Sequence, residues 1–279
     1  MEVVVSLGMK RREMAHIIRK RFDKVENAYQ RVTEHFEVDD IHEFRIEIKK
    51  LRAFLRLLGE TKGKKGKLPK RLHQFYQLAG NIRNLQLQQK RVRELRKDQG
   101  LPQAYLNLLN TEAATQILVA GNMARNHLSL QKERKNILSR LPDSLRRKGR
   151  ERYVRGGGTH LEGLAATPPP RPDDTLHSIR KICKDLYYNR QYIGQEAGLE
   201  LPSTLLREEG MKGLTDVLGD FQDMHTALEL LHDRYTCLIA DGGERAILDS
   251  LKREWEEKKR TIREGVNGLL VETVHPRQL

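Results

Sequence analysis

A short cationic pattern, His-x-x-Arg-x-x-x-Lys, is written twice in this chain: at His42, Arg45 and Lys49, and again at His177, Arg180 and Lys184. The copies lie 135 residues apart (177 − 42), close to half of the 279-residue chain. Each copy sits in a stretch whose apolar residues recur every three or four positions, the period of one helix face. A helix-borne motif repeated at half-length constrains the fold strongly. It points to a duplicated helical unit in which each half carries its motif in the same place.

Apolar periodicity is helical almost throughout. Ala15, Ile18, Phe22, Val25, Tyr29 and Val32 mark one helix. Ile41, Phe44, Ile48, Leu51, Leu55 and Leu58 mark the next, with Asp39 or Asp40 as its cap and Gly59 at its end. The spacing predicts a third helix from near Pro69 to Lys97 and a fourth, long one from Pro102 to about Leu141. A short basic segment, Asp143 to Val154, follows. Residues 155–174 contain Gly156-Gly157-Gly158 and Pro168-Pro169-Pro170 and read as a flexible connector. Helices resume over about 175–197, 202–235 and 243–266, and the residues beyond read as a frayed tail. Val3-Val4-Val5 is the one strand-like run. Further along, Gly80-Asn81-Ile82-Arg83-Asn84 is matched by Gly219-Asp220-Phe221-Gln222-Asp223, a shift of 139 (219 − 80). The expectation is an all-α fold of two pseudo-symmetric four-helix bundles from an internal repeat. The N-terminal repeat spans 10–141, the short basic helix and connector 142–174, and the C-terminal repeat 175–266.

On a helix at about 100° per residue, His42, Arg45, Lys49, Arg52 and Arg56 fall within an arc of roughly 80°. The apolar residues occupy the adjacent arc, so the cations line the shoulder of the core, where their stems can lie on apolar surface while their heads converge. Neighbouring like charges on a helix cost about 0.2–0.5 kcal/mol per pair. Glu43 and Glu47 lie too far round to neutralise the row, so the arrangement makes sense if an anion supplies the missing charge. Arg12, His16 and Arg19 share a face of the first helix in the same way. In the second copy, Tyr187 and Gln191 replace the last two cations, which makes the N-terminal row the stronger.

Charge narrows the partner. Lys and Arg number 52 against 38 Asp and Glu, a formal net charge of +14, and the pI is near 9.8. Such a balance suits nucleic acid, an anionic membrane surface or another phosphate polymer. Aromatic content of 5% counts against binding single strands by base stacking. Cys183 and Cys237 lack metal-pair spacing and read as reduced core thiols. With no signal-peptide pattern and no apolar run of membrane-spanning length, the expected compartment is the cytoplasm.

At Ile41–Gly59 (IHEFRIEIKKLRAFLRLLG), Leu176–Gly194 (LHSIRKICKDLYYNRQYIG) and Leu218–Leu231 (LGDFQDMHTALELL), the chain resembles the CHAD family, the conserved-histidine α-helical domain. The resemblance runs from about Arg11 to Val266. It implies two pseudo-symmetric four-helix bundles whose basic helices face a shared groove or pore, binding of inorganic polyphosphate, and association with polyphosphate granules. Carried onto this sequence, the family's basic positions are His42, Arg45, Lys49, Arg52, His177, Arg180 and Lys184, with Arg12 and Arg19 on the first helix and Arg83 on the third. Asn84 stands where the family pattern has Asp, Tyr187 where an Arg is common, and Asp185 where another cation occurs.

Catalytic signals are weak. Gly63–Lys67 (GKKGK) lacks the spacing and the Ser or Thr of a phosphate loop. His225 and His232 share a face near Asp223, but structural histidines are the expected reading, with no metal and no cofactor. Asp220 and Asp223 read as a buried hydrogen-bonding element. The expected function is therefore non-enzymatic binding of inorganic polyphosphate. The alternatives are a non-specific nucleic-acid binder, nucleic acid being also a possible weaker ligand of the same groove, and a metal-dependent phosphohydrolase.

Overall fold

The computed structural model describes residues 8–60, 66–95, 100–193 and 208–274. The Val3-Val4-Val5 run, most of the basic 61–68 loop and the helix start expected at Pro202 lie outside the described residues. Within them the chain is all-helical apart from one two-residue ladder. The helices are α1 (Arg11–His35), α2 (Val38–Glu60), α3 (Lys70–Leu95), α4 (Gln103–Asn126), α5 (Leu130–Ser139), α6 (Arg147–Ala165), α7 (Asp173–Ile193), α8 (Glu208–Leu230), α9 (Asp233–Thr236) and α10 (Gly242–Val274). Strand β1 (Met9–Lys10) pairs antiparallel with β2 (Ser144–Leu145), Met9 opposite Leu145. Neither strand has a hydrophobic alternation long enough to read from sequence. The close approach at Gly8, where a Cβ would lie 2.6 Å from the Leu145 carbonyl oxygen, helps to make the ladder.

The helical period predicts which face of each helix is buried. In α1, Met14, Ile18, Phe22, Val25, Ala28 and Val32 form the core stripe, while Ala15 and Tyr29 flank it. The helix ends at Phe36, whose backbone adopts the left-handed conformation (φ 55°). That conformation costs about 1–2 kcal/mol in a residue with a Cβ. Burial of the ring and a hydrogen bond from Gln86 Nε2 to the Phe36 carbonyl (2.9 Å) hold it there. Helix α2 begins one residue before Asp39 and Asp40, so both carboxylates lie in its first turn, where they favour the helix dipole without capping it. Beyond Leu51 it is apolar nearly all round: Ala53, Phe54, Leu55, Leu57 and Leu58 are buried, with only Arg52 and Arg56 interrupting. Such a segment needs neighbours on every side. It receives α1, α3, α6 and α7.

Three apolar clusters make the core. The first joins α1, α2 and α3 with parts of α4 and α5. The second joins α6, α7, α8 and α10. The third spans the halves: Leu85 and Val92 of α3, Tyr105 and Leu109 of α4, Met224 of α8, and Leu251 and Trp255 of α10. Gln88 is fully buried within this third cluster, donating to Tyr105 Oη (3.0 Å) and to the Ala227 carbonyl (3.2 Å).

Three boundaries and the exposure of one cysteine differ from the sequence expectation. The expected flexible connector is mostly helix: α6 runs through Gly156-Gly157-Gly158 to Ala165, with Val154, Gly158 and Leu161 buried. Glycines hid the pattern because they carry no side chain to read. Gly157 faces Leu186 so closely that a Cβ would sit 3.2 Å from its Cδ2. The 166–172 stretch is tied down by buried Arg171, which donates to Asn267 Oδ1 (2.8 Å) and the Ala165 carbonyl (2.6 Å). The single long fourth helix is two, broken at His127–Ser129, where Ser129 Oγ accepts from the Lys132 amide and caps α5. Helix α10 continues past 266 to Val274 because Leu270 is buried in the second cluster. Finally, Cys183 is buried as expected, but Cys237 is exposed.

A helical α6 has a measurable consequence. Nothing lies within 4 Å of a Cβ built on Gly156. Gly156→Ala is expected to stabilise the protein by about 0.5–1 kcal/mol, the usual gain at an exposed helix interior. Gly157→Ala gains less because Leu186 must move. An unchanged urea midpoint for Gly156→Ala would contradict the helix.

A candidate anion-binding groove

Helices α2 and α7 pack against each other, and their cationic rows meet at the seam. The packing is fixed by Asn189, a fully buried residue of α7 whose amide donates to the Ala53 carbonyl of α2 and to Tyr153 Oη of α6, both at 2.8 Å. Phe54 and Tyr192 add a ring contact with centroids 4.8 Å apart. Arg56 of α2 pairs with Asp185 of α7. Ala53 meets Asn189 and Arg56 meets Asp185 where the two helices cross, and the charges of Arg180 and Lys184 on α7 act on Lys49 of α2.

Lys49 is the centre of the groove. It is half-buried, and the charges that act on it most are all positive: Arg45, Arg180, Lys184 and Arg52. Burial first, then these four cations, push its ammonium down to about 7. Lys184 is lowered in the same direction, by burial and then Arg180, with Asp216 opposing. His42 is lowered by burial, then by Arg83 and Lys49, against Asp39 and Asp223. A row that depresses its own members in this way is one in which the fold concentrates positive charge.

Arg45 shows how the fold builds the site. Its guanidinium crosses to α3, donates from Nη1 to the Tyr76 carbonyl (2.9 Å), and lies 4.4 Å over the Tyr76 ring. Arg52 covers the same ring at 5.6 Å. Passage of Arg45 requires Gly80: a Cβ there would fall 2.0 Å from Arg45 Nη1. Gly80 read from sequence only as an interruption in a helix. In the second half, Arg180 passes Gly219 with more room, 3.7 Å from a Cβ position to Nη2. The Nε groups of Arg52, Arg83 and Arg180 are buried without a hydrogen-bond partner. A buried, unpaired N–H is costly, and the Nε groups of Arg150, Arg171 and Arg263 are in the same position elsewhere in the fold.

The structure thus brings together His42, Arg45, Lys49, Arg52, Arg83, Arg180 and Lys184. His177 continues the row at the surface, where Nδ1 meets Gln222 Oε1 at 2.8 Å. Arg56 is a correction: its charge is taken up by Asp185, whose carboxyl burial pushes up despite that partner. Arg12, His16 and Arg19 lie apart from this cluster. They stand exposed on α1, and none of the interactions that define the cluster reaches them. Glu43 and Glu47 do stay out of the row, engaged by Arg31 and by Arg21 and Lys50 respectively. Asp220 and Asp223 are exposed rather than buried.

Sequence reading missed two features. Beyond Arg52 a cleft of about 650 Å³ opens between α2, α3, α6 and α7, lined by His73, His160 and Lys181 together with the Arg56–Asp185 pair. At the other end of α7, Lys259 and Arg263 of α10 and His225 of α8 converge on Asp173. Burial raises the Asp173 carboxyl, but these partners outweigh it and leave its pKa below the ordinary value. No local signal joins residues about 90 positions apart. Among the described residues no three His, Cys, Asp or Glu side chains converge as metal ligands, and no described helix is long and apolar enough to cross a membrane.

The fold has solved counterparts. The chain is similar to the crystal structure of the CHAD domain from the plant Ricinus communis, with a TM-score of 0.68 at 15% identity over 94% of this chain and 92% of that one. It is also similar to PptA from Streptomyces chartreusis, with a TM-score of 0.63 at 14% identity over 92% of this chain and 99% of that one. At such identities the likeness is one of fold. No curated protein matches the chain in sequence. A family model described as CHAD domain matches residues 16–232, a span that takes in both cationic rows, Gly80 and Gly219. With its fold and most of its length matched, the chain belongs to the CHAD domain family.

Proposed function

We propose that this protein is a non-enzymatic binder of inorganic polyphosphate, held in the groove between α2 and α7, and that this binding associates it with polyphosphate granules in the cytoplasm. The observation that carries the reading is Lys49 among Arg45, Arg52, Arg180 and Lys184, with three neighbouring arginine Nε groups buried and unpartnered. Such a cluster is costly when empty and favourable when successive phosphates supply both negative charge and acceptors. Tyr76, an aromatic ring at the groove, is already covered by Arg45 and Arg52. It is not free to stack a base, which favours a phosphate polymer over single-stranded nucleic acid.

We read the two rows as copies within a duplicated four-helix unit with pseudo-two-fold symmetry. Arg45 over Gly80 corresponds to Arg180 over Gly219, and His42 beside Arg83 corresponds to His177 beside Gln222. We read the second copy as the weaker, because Gln222 stands where Arg83 does and Tyr187 and Gln191 where Arg52 and Arg56 do.

The test is a salt-dependent titration with polyphosphate beside DNA and RNA of matched charge. Arg45→Ala combined with Arg52→Ala is expected to weaken polyphosphate binding by about tenfold or more at moderate salt, with helicity intact. Its salt slope should flatten by about 2, one unit per lost contact. Unchanged affinity would sink the reading, and equal or tighter nucleic-acid binding would replace it with general polyanion binding. Gly80→Ala should displace Arg45 from Tyr76 and weaken binding several-fold, with little change in melting temperature because Ala suits a helix better than Gly. A variant that melts early without losing affinity would contradict the role given to Gly80.

Lys49→Met separates stability from binding. Unfolded Lys49 keeps its proton up to about 10.5, whereas in the fold it releases it near 7. The unfolded state therefore binds more protons between these values, and stability rises with pH across that window. Below about 7 the penalty is full. The variant is expected to be more stable than the parent by on the order of 1 kcal/mol at pH 6 without polyanion. That advantage should shrink as pH rises towards 10, while polyphosphate affinity falls at every pH. Thermal melts at pH 6 and 9 check the sign.

A further inference from the structure

In a chain that is 32% charged, α4 has 24 residues and two charges, Glu112 and Arg125. The helix packs along α3. Its outward face is Thr111, Ala114, Thr115, Leu118, Val119 and Asn122, all exposed. Leu118 is 71% exposed and Val119 49%. The polar side chains around them are satisfied inside the helix. Thr111 Oγ1 donates to the Asn107 carbonyl and Thr115 Oγ1 to the Thr111 carbonyl, both at 2.9 Å. Gln116 Nε2 donates to Glu112 Oε1 (3.0 Å), and Asn126 Nδ2 to Asn122 Oδ1 (2.6 Å). Across a cleft of about 830 Å³, α3 continues the face with Gln74, Gln77 and Asn81, again exposed and uncharged. The cations that line this cleft, Arg45 and Arg71, are engaged by the Tyr76 and His127 carbonyls. The solvent face of a surface helix ordinarily carries charge. A face without it, with two large apolar side chains at its centre, marks an interaction surface.

We propose that this face is a weak homodimer surface, α4 against α4 of a second copy about a two-fold axis. Two copies that each carry a formal net charge of +14 repel over most of their surfaces. A face without charge is where they can approach. An acidic partner would gain nothing there and would be drawn to the cationic rows instead. The pattern also reads alike from either end. A two-fold axis runs the paired helices antiparallel and makes the interface self-complementary. Centred between Leu118 and Val119, it brings Leu118 level with Val119 of the second copy, and Thr115 level with Asn122. Glu112 comes level with Arg125, so the charges that border the stripe meet opposite sign at each end. From Thr111 to Asn126 the stripe is roughly 24 Å long. That is short for the roughly 1,200–2,000 Å² that stable complexes bury, so the pairing is weak. It takes effect where copies are crowded, as when several share one polyanion. The surface itself does not depend on which polyanion that is.

The test is sedimentation velocity of the full chain over a concentration series, at low and at high salt. A reversible monomer–dimer equilibrium is expected, with a Kd between about 10 μM and 1 mM. It should tighten at high salt, because salt screens the repulsion between copies and takes little from an uncharged contact. Polyanion binding moves the opposite way with salt. Leu118→Lys removes no buried side chain and is expected to weaken the dimer at least about tenfold with an unchanged melting temperature. Register is read by disulfide formation in a Cys237→Ser background, since Cys237 is exposed. Thr115→Cys chains mixed with Asn122→Cys chains and oxidised with copper phenanthroline should crosslink faster than either variant alone. Level residues on facing helices can reach disulfide distance, whereas each of these residues lies roughly 10 Å along the axis from its own mate. A chain that stays monomeric up to about 1 mM at both salts overturns the proposal. So does a dimer that Leu118→Lys leaves intact, or crosslinking without preference for the mixed pair. Dimerisation in a preparation that binds no polyphosphate upholds this surface and removes only the function proposed above.

Discussion

The packing of α2 on α7 is the contact on which the rest of this molecule depends. Helix α2 is apolar nearly all round after Leu51, so its C-terminal half is stable only when surrounded. Asn189 sets the rotation of α7 against it, since few orientations place its amide on both the Ala53 carbonyl and Tyr153 Oη. Asn189 Oδ1 is left without a partner, so the contact specifies an orientation at some cost in stability. Once that rotation is set, two rows of cations that each suit a helix shoulder are forced to face each other.

Opposing the rows is unfavourable for the empty protein, and the structure shows how the cost is contained. Arginine stems lie on apolar surface, and guanidiniums that cannot pair with acids lie on Tyr76 or slip past Gly80 and Gly219. An acid takes up the last cation of the first row, Asp185 on Arg56. Before it lies a stretch of concentrated positive charge with unpaired N–H groups. The proposed anionic polymer would relieve both the repulsion and the missing acceptors. A solvated basic face would need no such enclosure.

The same physics explains what could be read in advance. Ala15 to Val32 and Ile41 to Leu58 announced their helices because residues three and four apart share a face. The unequal number of cations in the two rows was also visible, in Tyr187 and Gln191. Arg12, His16 and Arg19 show the limit: they satisfy the same spacing rule as His42, Arg45 and Lys49, yet they face solvent. Helical phase says which residues travel together, and packing says where that face points. Helix α6 was missed for a different reason. Three consecutive glycines carry no hydrophobic signal, although the small surface they give is what lets Leu186 approach.

By itself, the sequence determined the all-α class, the two cationic rows and the family, because each is written in local spacing or in motifs that need no partner. Tertiary structure alone decided that Lys49 stands among cations from two helices, that Arg56 is paired, that Gly80 makes room for Arg45, and that Lys259 and Arg263 of α10 meet Asp173 of α7. Each of these is set by how two helices rotate and approach across 30 to 140 residues of chain. Burial and charge at such a crossing are properties of the pair of helices, and neither helix carries them alone.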